Sequence, residues 1–141
     1  MKRVLSITSL LVVCVIIVLS LASCNSIEKE GLWEEATYRR DKEFGNGAKT
    51  VEVEVKAGDE SVTFTIHTDK DILGEALLEH ELISGEEGPY GLYIKRVNGI
   101  LADYDVDHSY WAFYKNGEYM LTGVDTTPIS GGEHFELVYT K

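Results

Sequence analysis

The stretch that most constrains this chain is Ser109-Tyr110-Trp111-Ala112-Phe113-Tyr114-Lys115-Asn116-Gly117-Glu118-Tyr119-Met120. It reads as an aromatic strand, a two-residue turn and a returning strand. Asn-Gly between β-prone runs is the strongest short hairpin signal, because a type I′ turn needs positive φ at both central positions. Alternation sends Tyr110, Ala112 and Tyr114 to one face and Trp111 and Phe113 to the other. Both faces are therefore aromatic. One packs into a core; the other is either a second core face or meets more protein, a membrane surface or a ligand.

The remaining elements are arranged around that hairpin. Thr50 to Lys56 alternates Val51, Val53 and Val55 against Glu52, Glu54 and Lys56, and Ser61 to His67 alternates Val62, Phe64 and Ile66 against Thr63, Thr65 and His67. With the turn at Ala57-Gly58-Asp59-Glu60 these make a hairpin with one apolar face. Thr68, with Asp71 three residues on, matches a helix start. Ile72, Leu73, Ala76 and Leu77 form its buried stripe, and the helix is predicted to end near Leu82 to Gly85 and to lie across the hairpin. Leu32 to Tyr38 is predicted as a short edge strand, Gly45-Asn46-Gly47 as a turn and Glu86 to Gly91 as a loop. Leu92 to Val97 is a strand, Asn98-Gly99 a turn, Ile100 to Ala102 a short return and Asp103 to His108 an acidic loop. Asp125 to Ser130 is irregular, Gly131-Gly132 a turn, and His134 to Thr140 a closing strand with Phe135, Leu137 and Tyr139 on one face. The expected class is α+β, a β-grasp-like mixed sheet with one packed helix.

The first residues read as an address. Lys2 and Arg3 precede an apolar run from Val4 to Leu21, and Leu21-Ala22-Ser23-Cys24 follows. Small residues before the cut suit a signal peptidase. A cysteine directly after Leu-Ala-Ser resembles the bacterial lipobox, in which that cysteine takes a diacylglycerol and becomes the mature N-terminus. The rival reading is an uncleaved transmembrane anchor. The expected organisation is a lipoprotein signal peptide over 1–23, a polar tether over 24–31 and the folded domain over 32–141. Cys24 would hold it on the outer face of the cell membrane.

Charge and cysteine content exclude several functions. The formal net charge is −11, and loss of Lys2 and Arg3 with the signal segment takes it to −13. Such acidity repels phosphate backbones, so no nucleic-acid partner is expected. Cys14 lies in the signal and Cys24 at the lipidation point, leaving no thiol for a disulfide, a metal or nucleophilic catalysis. Asp103, Asp105 and Asp107 are spaced like the first ligands of a calcium loop. The sixth position, His108, should be Gly, and the twelfth, Tyr114, should be Glu. His67, His80, His108 and His134 form no H-x-x-x-H pair. No G-x-S-x-G elbow or phosphate loop occurs. No catalytic residue and no metal site are expected, and the protein reads as a non-enzyme.

Aromatic residues crowd one region instead. Tyr90, Tyr93, Tyr104, Tyr110, Trp111, Phe113, Tyr114 and Tyr119 lie within thirty residues. Tyr and Trp combine a large apolar face with a polar tip and are favoured at binding surfaces. Two to four of these are expected to be exposed.

Tyr110-Trp111-x-Phe113 with its hairpin, Gly123-Val124-Asp125 and the closing strand resembles the C-terminal domain of transcobalamin and intrinsic factor. Gly88-Pro89-Tyr90-Gly91-Leu92, the Asn98-Gly99 turn and the helix around Gly74-Glu75-Ala76-Leu77-Leu78 continue the resemblance in the same order, over roughly Thr50 to Lys141. It is similar to the transcobalamin-like domain of many bacterial lipoproteins. The resemblance implies a β-grasp-like fold and a corrinoid (cobalamin) ligand. That ligand would face the loop from Gly88 to Leu92, with Tyr90, Gly91 and Leu92, and the hairpin tip from Tyr119 to Leu121, with Tyr119 and Met120, beside Tyr110 on the aromatic strand. A broad, flat, amide-fringed corrin suits aromatic faces, a thioether and Gly-rich backbone. The carriers clamp cobalamin against a large helical domain for which this chain has no room. Either a second binding protein completes the site or the fold serves another ligand.

Two functional readings follow. In the first, the chain is a lipid-anchored extracytoplasmic module that binds a small ligand and hands it to a transporter. In the second, it is a surface module that binds protein or glycan through an exposed aromatic face.

Overall fold

Val51, Val53 and Val55 are almost completely buried, and they stand opposite Ile66, Phe64 and Val62 in an antiparallel pair. That pair is β2 (Lys49–Ala57) and β3 (Glu60–Thr68) of the computed structural model, which describes residues 27–141. Each such side chain withdrawn from water contributes roughly 1.5–3 kcal/mol. The alternating valines and their partners thus anchor the unit formed by Leu32–Lys141.

Around this pair a six-stranded sheet is ordered β1-β3-β2-β9-β7-β8, with β1 at Lys42–Gly45, β7 at Tyr110–Lys115, β8 at Glu118–Tyr119 and β9 at His134–Thr140. β9 runs parallel to β2 and antiparallel to β7, so Phe135 and Leu137 reach the centre of the core. A second, three-stranded sheet consists of β4 (Ile83–Gly88), β5 (Gly91–Val97) and β6 (Ile100–Leu101). Three short α-helices, α1 (Ile27–Glu34), α2 (Leu73–Glu79) and α3 (Tyr104–Asp107), and a 3-10 helix at Val124–Thr126 complete the elements of the described residues. The fold is mixed α+β and mostly sheet. None of the described helices is long and apolar enough to cross a membrane.

Both Asn-Gly turns form as predicted. Asn98 and Gly99 have φ of 51° and 84°, Asn116 and Gly117 of 47° and 81°. On β7, Trp111 and Phe113 enter the core, and Ala112 on the other face is buried as well.

Several expectations are corrected. Leu32 to Tyr38 is not an edge strand: α1 runs through Glu34, and Trp33 is buried with its indole N–H donating to Ala57 O at 2.8 Å. α1 also takes in Ile27 onward from the predicted tether. Lys42–Gly45, next to the predicted turn, is a strand paired in parallel with β3. Thr68 does not cap the helix. It ends β3 and its hydroxyl accepts from Lys70 N, while α2 starts at Leu73 with no side-chain cap. The first helical amide is satisfied by the chain instead, Leu73 N donating to Thr127 O at 2.9 Å. α2 also stops earlier, at Glu79. The predicted loop at Glu86 begins inside β4, which pairs with β5. The predicted acidic loop holds α3, capped by Asp103 through Asp105 N. The signal segment, the lipobox and Cys24 lie outside the described residues.

Candidate functional site

Three segments converge on one concave groove: Leu92 to Ile94 of β5, Tyr110, Trp111 and Phe113 of β7, and Tyr119 to Val124 after the hairpin turn. The groove holds about 190 Å³. A second hollow of about 330 Å³ is formed by the β4–β5 turn, Glu86 to Tyr93, and shares Leu92 and Tyr93 with the first.

Local chemistry fixes these segments. Met120 N donates to Phe113 O at 2.9 Å, extending the hairpin by one rung before the chain departs at Leu121. Tyr114 and Tyr119 face each other edge to face across the hairpin at 5.4 Å. The segment after Leu121 is tied back by Asp125. Its Oδ2 accepts from Leu92 N at 3.1 Å, clasping the far wall of the groove to the first strand of the near wall. The carboxylate lies so close to two glycines that a Cβ on Gly91 would sit 2.2 Å from Oδ2 and one on Gly123 2.5 Å from Oδ1. Gly91 also has φ of 102°, which L side chains rarely adopt. Behind this clasp, Gly74 of α2 packs against the Asp125 backbone, and Thr127 Oγ1 donates to Gly123 O at 2.8 Å.

Of the residues singled out in the sequence, Leu92, Tyr110, Tyr119 and Met120 all line the groove, while Tyr90 and Gly91 line the neighbouring hollow. Tyr90 is 98% exposed at the tip of its turn. Met120 packs partly against the core. Four of the eight clustered aromatics are exposed: Tyr90, Tyr93, Tyr104 and Tyr119. Sequence reasoning placed Leu121 with Tyr119 and Met120 in the ligand-facing hairpin tip, and Leu121 lines the groove; it did not select Tyr93 or Asp125 as site residues. Tyr93 was legible as one of the aromatic cluster. Leu121 is 94% exposed, whereas the Asp125 clasp had no local signal.

Among the described residues, the Trp111 indole Nε1, on a residue only 8% exposed, and Asp125 Oδ1, behind the groove wall, are buried without a hydrogen-bond partner. Trp33 contrasts with Trp111, because its indole is satisfied.

Histidine–carboxylate pairs occur elsewhere. His67 Nε2 meets Glu43 Oε1 at 2.5 Å and its Nδ1 meets Thr50 Oγ1 at 2.9 Å. His134 lies 3.3 Å from Glu52 and 3.4 Å from Glu54. None of these side chains lines the groove. Among the described residues, no group of three or more His, Cys, Asp or Glu is placed to hold a metal ion.

α3 adjoins the groove through Tyr104, edge to face with Tyr110 at 6.5 Å. Asp107 at its end is held below the usual carboxylate range by the Ser109 hydroxyl, against partial desolvation, with help from the Ser109 amide and Lys141. A folded-state depression contributes stability above the unfolded value of about 3.9, lost as pH falls through the lower folded value. Wild type should therefore melt above Asp107→Asn at neutral pH, with the gap in melting temperature closing progressively below about pH 4. An unchanged gap at pH 2 would contradict this.

The groove and its two sheets define a mixed α+β domain with an aromatic-walled surface site. Residues 70–141 match the family model described as Domain of unknown function (DUF4430), and the chain belongs to that family. It is similar to a solved candidate metal binding protein from Ruminococcus gnavus ATCC 29149, with 39% identity and a TM-score of 0.63 over 66% of this chain and 97% of that one. It shares a fold with haptocorrin, solved in complex with Cbi, at 22% identity and a TM-score of 0.51. That match covers 70% of this chain and 26% of haptocorrin. No curated protein matches it.

Proposed function

We propose that this chain is a non-enzymatic, extracytoplasmic binding module, held at the membrane by lipid on Cys24, which binds a small ligand of the corrinoid class and passes it to a transporter or a second binding protein. The observation that carries this reading is the convergence of Leu92, Tyr110, Tyr119 and Met120, from three separate segments, on one groove. The order β3-β2-β9-β7-β8 with α2 supports a β-grasp-like reading of the larger sheet. The transcobalamin-like assignment draws on that order and on the fold shared with haptocorrin. The Ruminococcus gnavus protein's designation supports binding of some ligand, although a metal finds no cluster among the described residues.

Size sets the mode of binding. Sites that enclose a drug-sized ligand hold roughly 300–1,000 Å³ and bury most of its surface. A groove of about 190 Å³ grips one edge of a corrin and leaves its other face for a partner. Affinity of the chain alone is accordingly modest.

Calorimetric titration of the full chain in detergent micelles with cobinamide and cyanocobalamin tests this. Micromolar binding is expected, weakened about tenfold by Tyr119→Ala, equivalent to about 1.4 kcal/mol. Absence of heat at millimolar corrinoid would reject it. The second reading, a protein- or glycan-binding face, is favoured by one observation: α3 carries exposed Tyr104, edge to face with half-buried Tyr110 of the groove, and exposed Val106.

A further inference from the structure

We propose that Asn116 is a self-modification site, at which Gly117 N attacks Asn116 Cγ and the tip of the aromatic hairpin is converted with time to isoaspartate, displacing one edge of the groove. The chain holds three Asn-Gly pairs, at Asn46-Gly47, Asn98-Gly99 and Asn116-Gly117. In each, the glycine nitrogen can close a five-membered imide ring on the side-chain amide carbon. The new N–Cγ bond forms, and Nδ2 leaves as ammonia with the proton of the glycine amide. Water then opens the imide. Opening at Cγ gives aspartate. Opening at the backbone carbonyl carbon gives isoaspartate, whose chain runs through Cβ and Cγ.

The surroundings single out the third pair. Ring closure turns the Asn–Gly peptide, so the glycine must be able to move. A Cβ on Gly47 would overlap the Thr68 backbone and one on Gly99 the Glu35 carbonyl, whereas nothing lies within 4 Å of the same point on Gly117. The leaving groups differ as well. Asn98 is buried and its Nδ2 is tethered to Tyr38 O at 2.7 Å. Asn116 is exposed, and its Nδ2 has no acceptor among the described residues. Its Oδ1 accepts from His134 N at 3.1 Å. That backbone N–H points at the oxygen on which negative charge gathers during attack, and stabilises it as an oxyanion-hole donor does. Exposed Asn46 has no such donor among the described residues. β8 is two exposed residues at the edge of its sheet, so the turn opens more readily than chain packed in the core.

Isoaspartate lengthens by one backbone atom a two-residue turn that depends on positive φ at both positions. The rungs beyond it, Tyr114 with Tyr119 and Met120 N with Phe113 O, lose their register, and Tyr119 and Met120 line the groove. Aspartate keeps the backbone length and an acceptor for His134 N, and spares the groove. The inference holds whatever occupies the groove.

The full chain, ¹⁵N-labelled in micelles, is kept in warm, mildly alkaline buffer and mapped by peptide mass spectrometry that separates aspartate from isoaspartate. Isoaspartate at 116 is expected to accumulate at least about tenfold faster than at 46 or 98. In urea the three sites should react at similar rates. As isoaspartate builds up, a second set of Tyr119 and Met120 amide resonances should grow with it. Asn116→Asp should show no second set, and Asn116→Gly, which suits the turn and carries no side-chain amide, should abolish both product and second set. Reaction at Asn46 or Asn98 as fast as at Asn116 in the folded chain would overturn the proposal. So would the same lead for Asn116 in urea, since the preference would then owe nothing to the fold. Isoaspartate at 116 with unchanged Tyr119 and Met120 resonances would overturn its link to the groove. Should Asn116→Gly misfold, the wild-type rates in buffer and urea decide.

Discussion

Trp111→Ala is expected to lower unfolding free energy by about 3–5 kcal/mol. Trp111 sits on β7, the first strand of the hairpin that most marks the sequence, between β9 and β8, and its side chain belongs to the buried core with Phe113 and Phe135. It meets Tyr139 of the neighbouring strand edge to face at 5.7 Å. Truncation removes that contact and opens a cavity between β7 and β9 that the surrounding strands, hydrogen-bonded along their length, cannot close. The indole N–H adds nothing to this loss, because it has no partner among the described residues. Trp111→Phe, which keeps an aromatic ring and removes the unpaired donor, should therefore lose much less. Urea unfolding of the three proteins checks both statements. An alanine variant with the wild-type midpoint would show that Trp111 serves the groove and not the core. A phenylalanine variant as unstable as alanine would show that the indole N–H is satisfied after all.

What could be read from the sequence divides along a physical line. β2 and β3 were legible because each alternates strictly over the length of a strand, so the apolar face follows from the period alone. The Asn98-Gly99 and Asn116-Gly117 turns were legible because positive φ at two successive positions demands those residues. β1 and β4 were not. Lys42–Gly45 is defined by its parallel pairing with β3, a tertiary fact with no local signature. Ile83–Gly88 reads Ile-Ser-Gly-Glu-Glu-Gly, with one apolar residue and an irregular register at Ser84/Gly85, so no alternation existed to find. The cap at Thr68 failed for the same kind of reason. The pattern fitted, but Leu73 found a better acceptor in Thr127, fifty-four residues on. At the site, the aromatic cluster was visible as composition, whereas the Asp125–Leu92 clasp spans thirty-three residues and depends on glycines at Gly91 and Gly123 that carry no spacing rule.

Asn98 shows how a turn residue chosen for its local conformation also fastens distant chain. Its φ of 51° suits the turn, and its buried side chain grips the backbone of Tyr38, Oδ1 accepting from Tyr38 N at 2.9 Å and Nδ2 donating to Tyr38 O at 2.7 Å. Its own carbonyl accepts from Thr37 N at 2.8 Å. The segment so held carries Tyr38 onto Phe44 of β1 and Phe64 of β3, each ring pair edge to face. Asn98→Ala should cost about 1–2 kcal/mol for left-handed backbone and about 1–3 kcal/mol for each Tyr38 group left unpaired. Asn98→Gly removes the second contribution's partner groups while keeping the turn relaxed. The expected order of stability is wild type, then Asn98→Gly, then Asn98→Ala, with both variants well below wild type in urea unfolding. Hydrogen exchange should locate the damage, speeding at the amides of Tyr38 and β1 while β7 and β9, which pair with each other along their length, keep their protection. If Asn98→Gly matched wild type, the side-chain grip on Tyr38 would contribute nothing and the residue would be present for its turn alone. If exchange rose equally in β9, the three-stranded and six-stranded sheets would open as one unit, and the clamp would be a determinant of global stability instead of a local fastening.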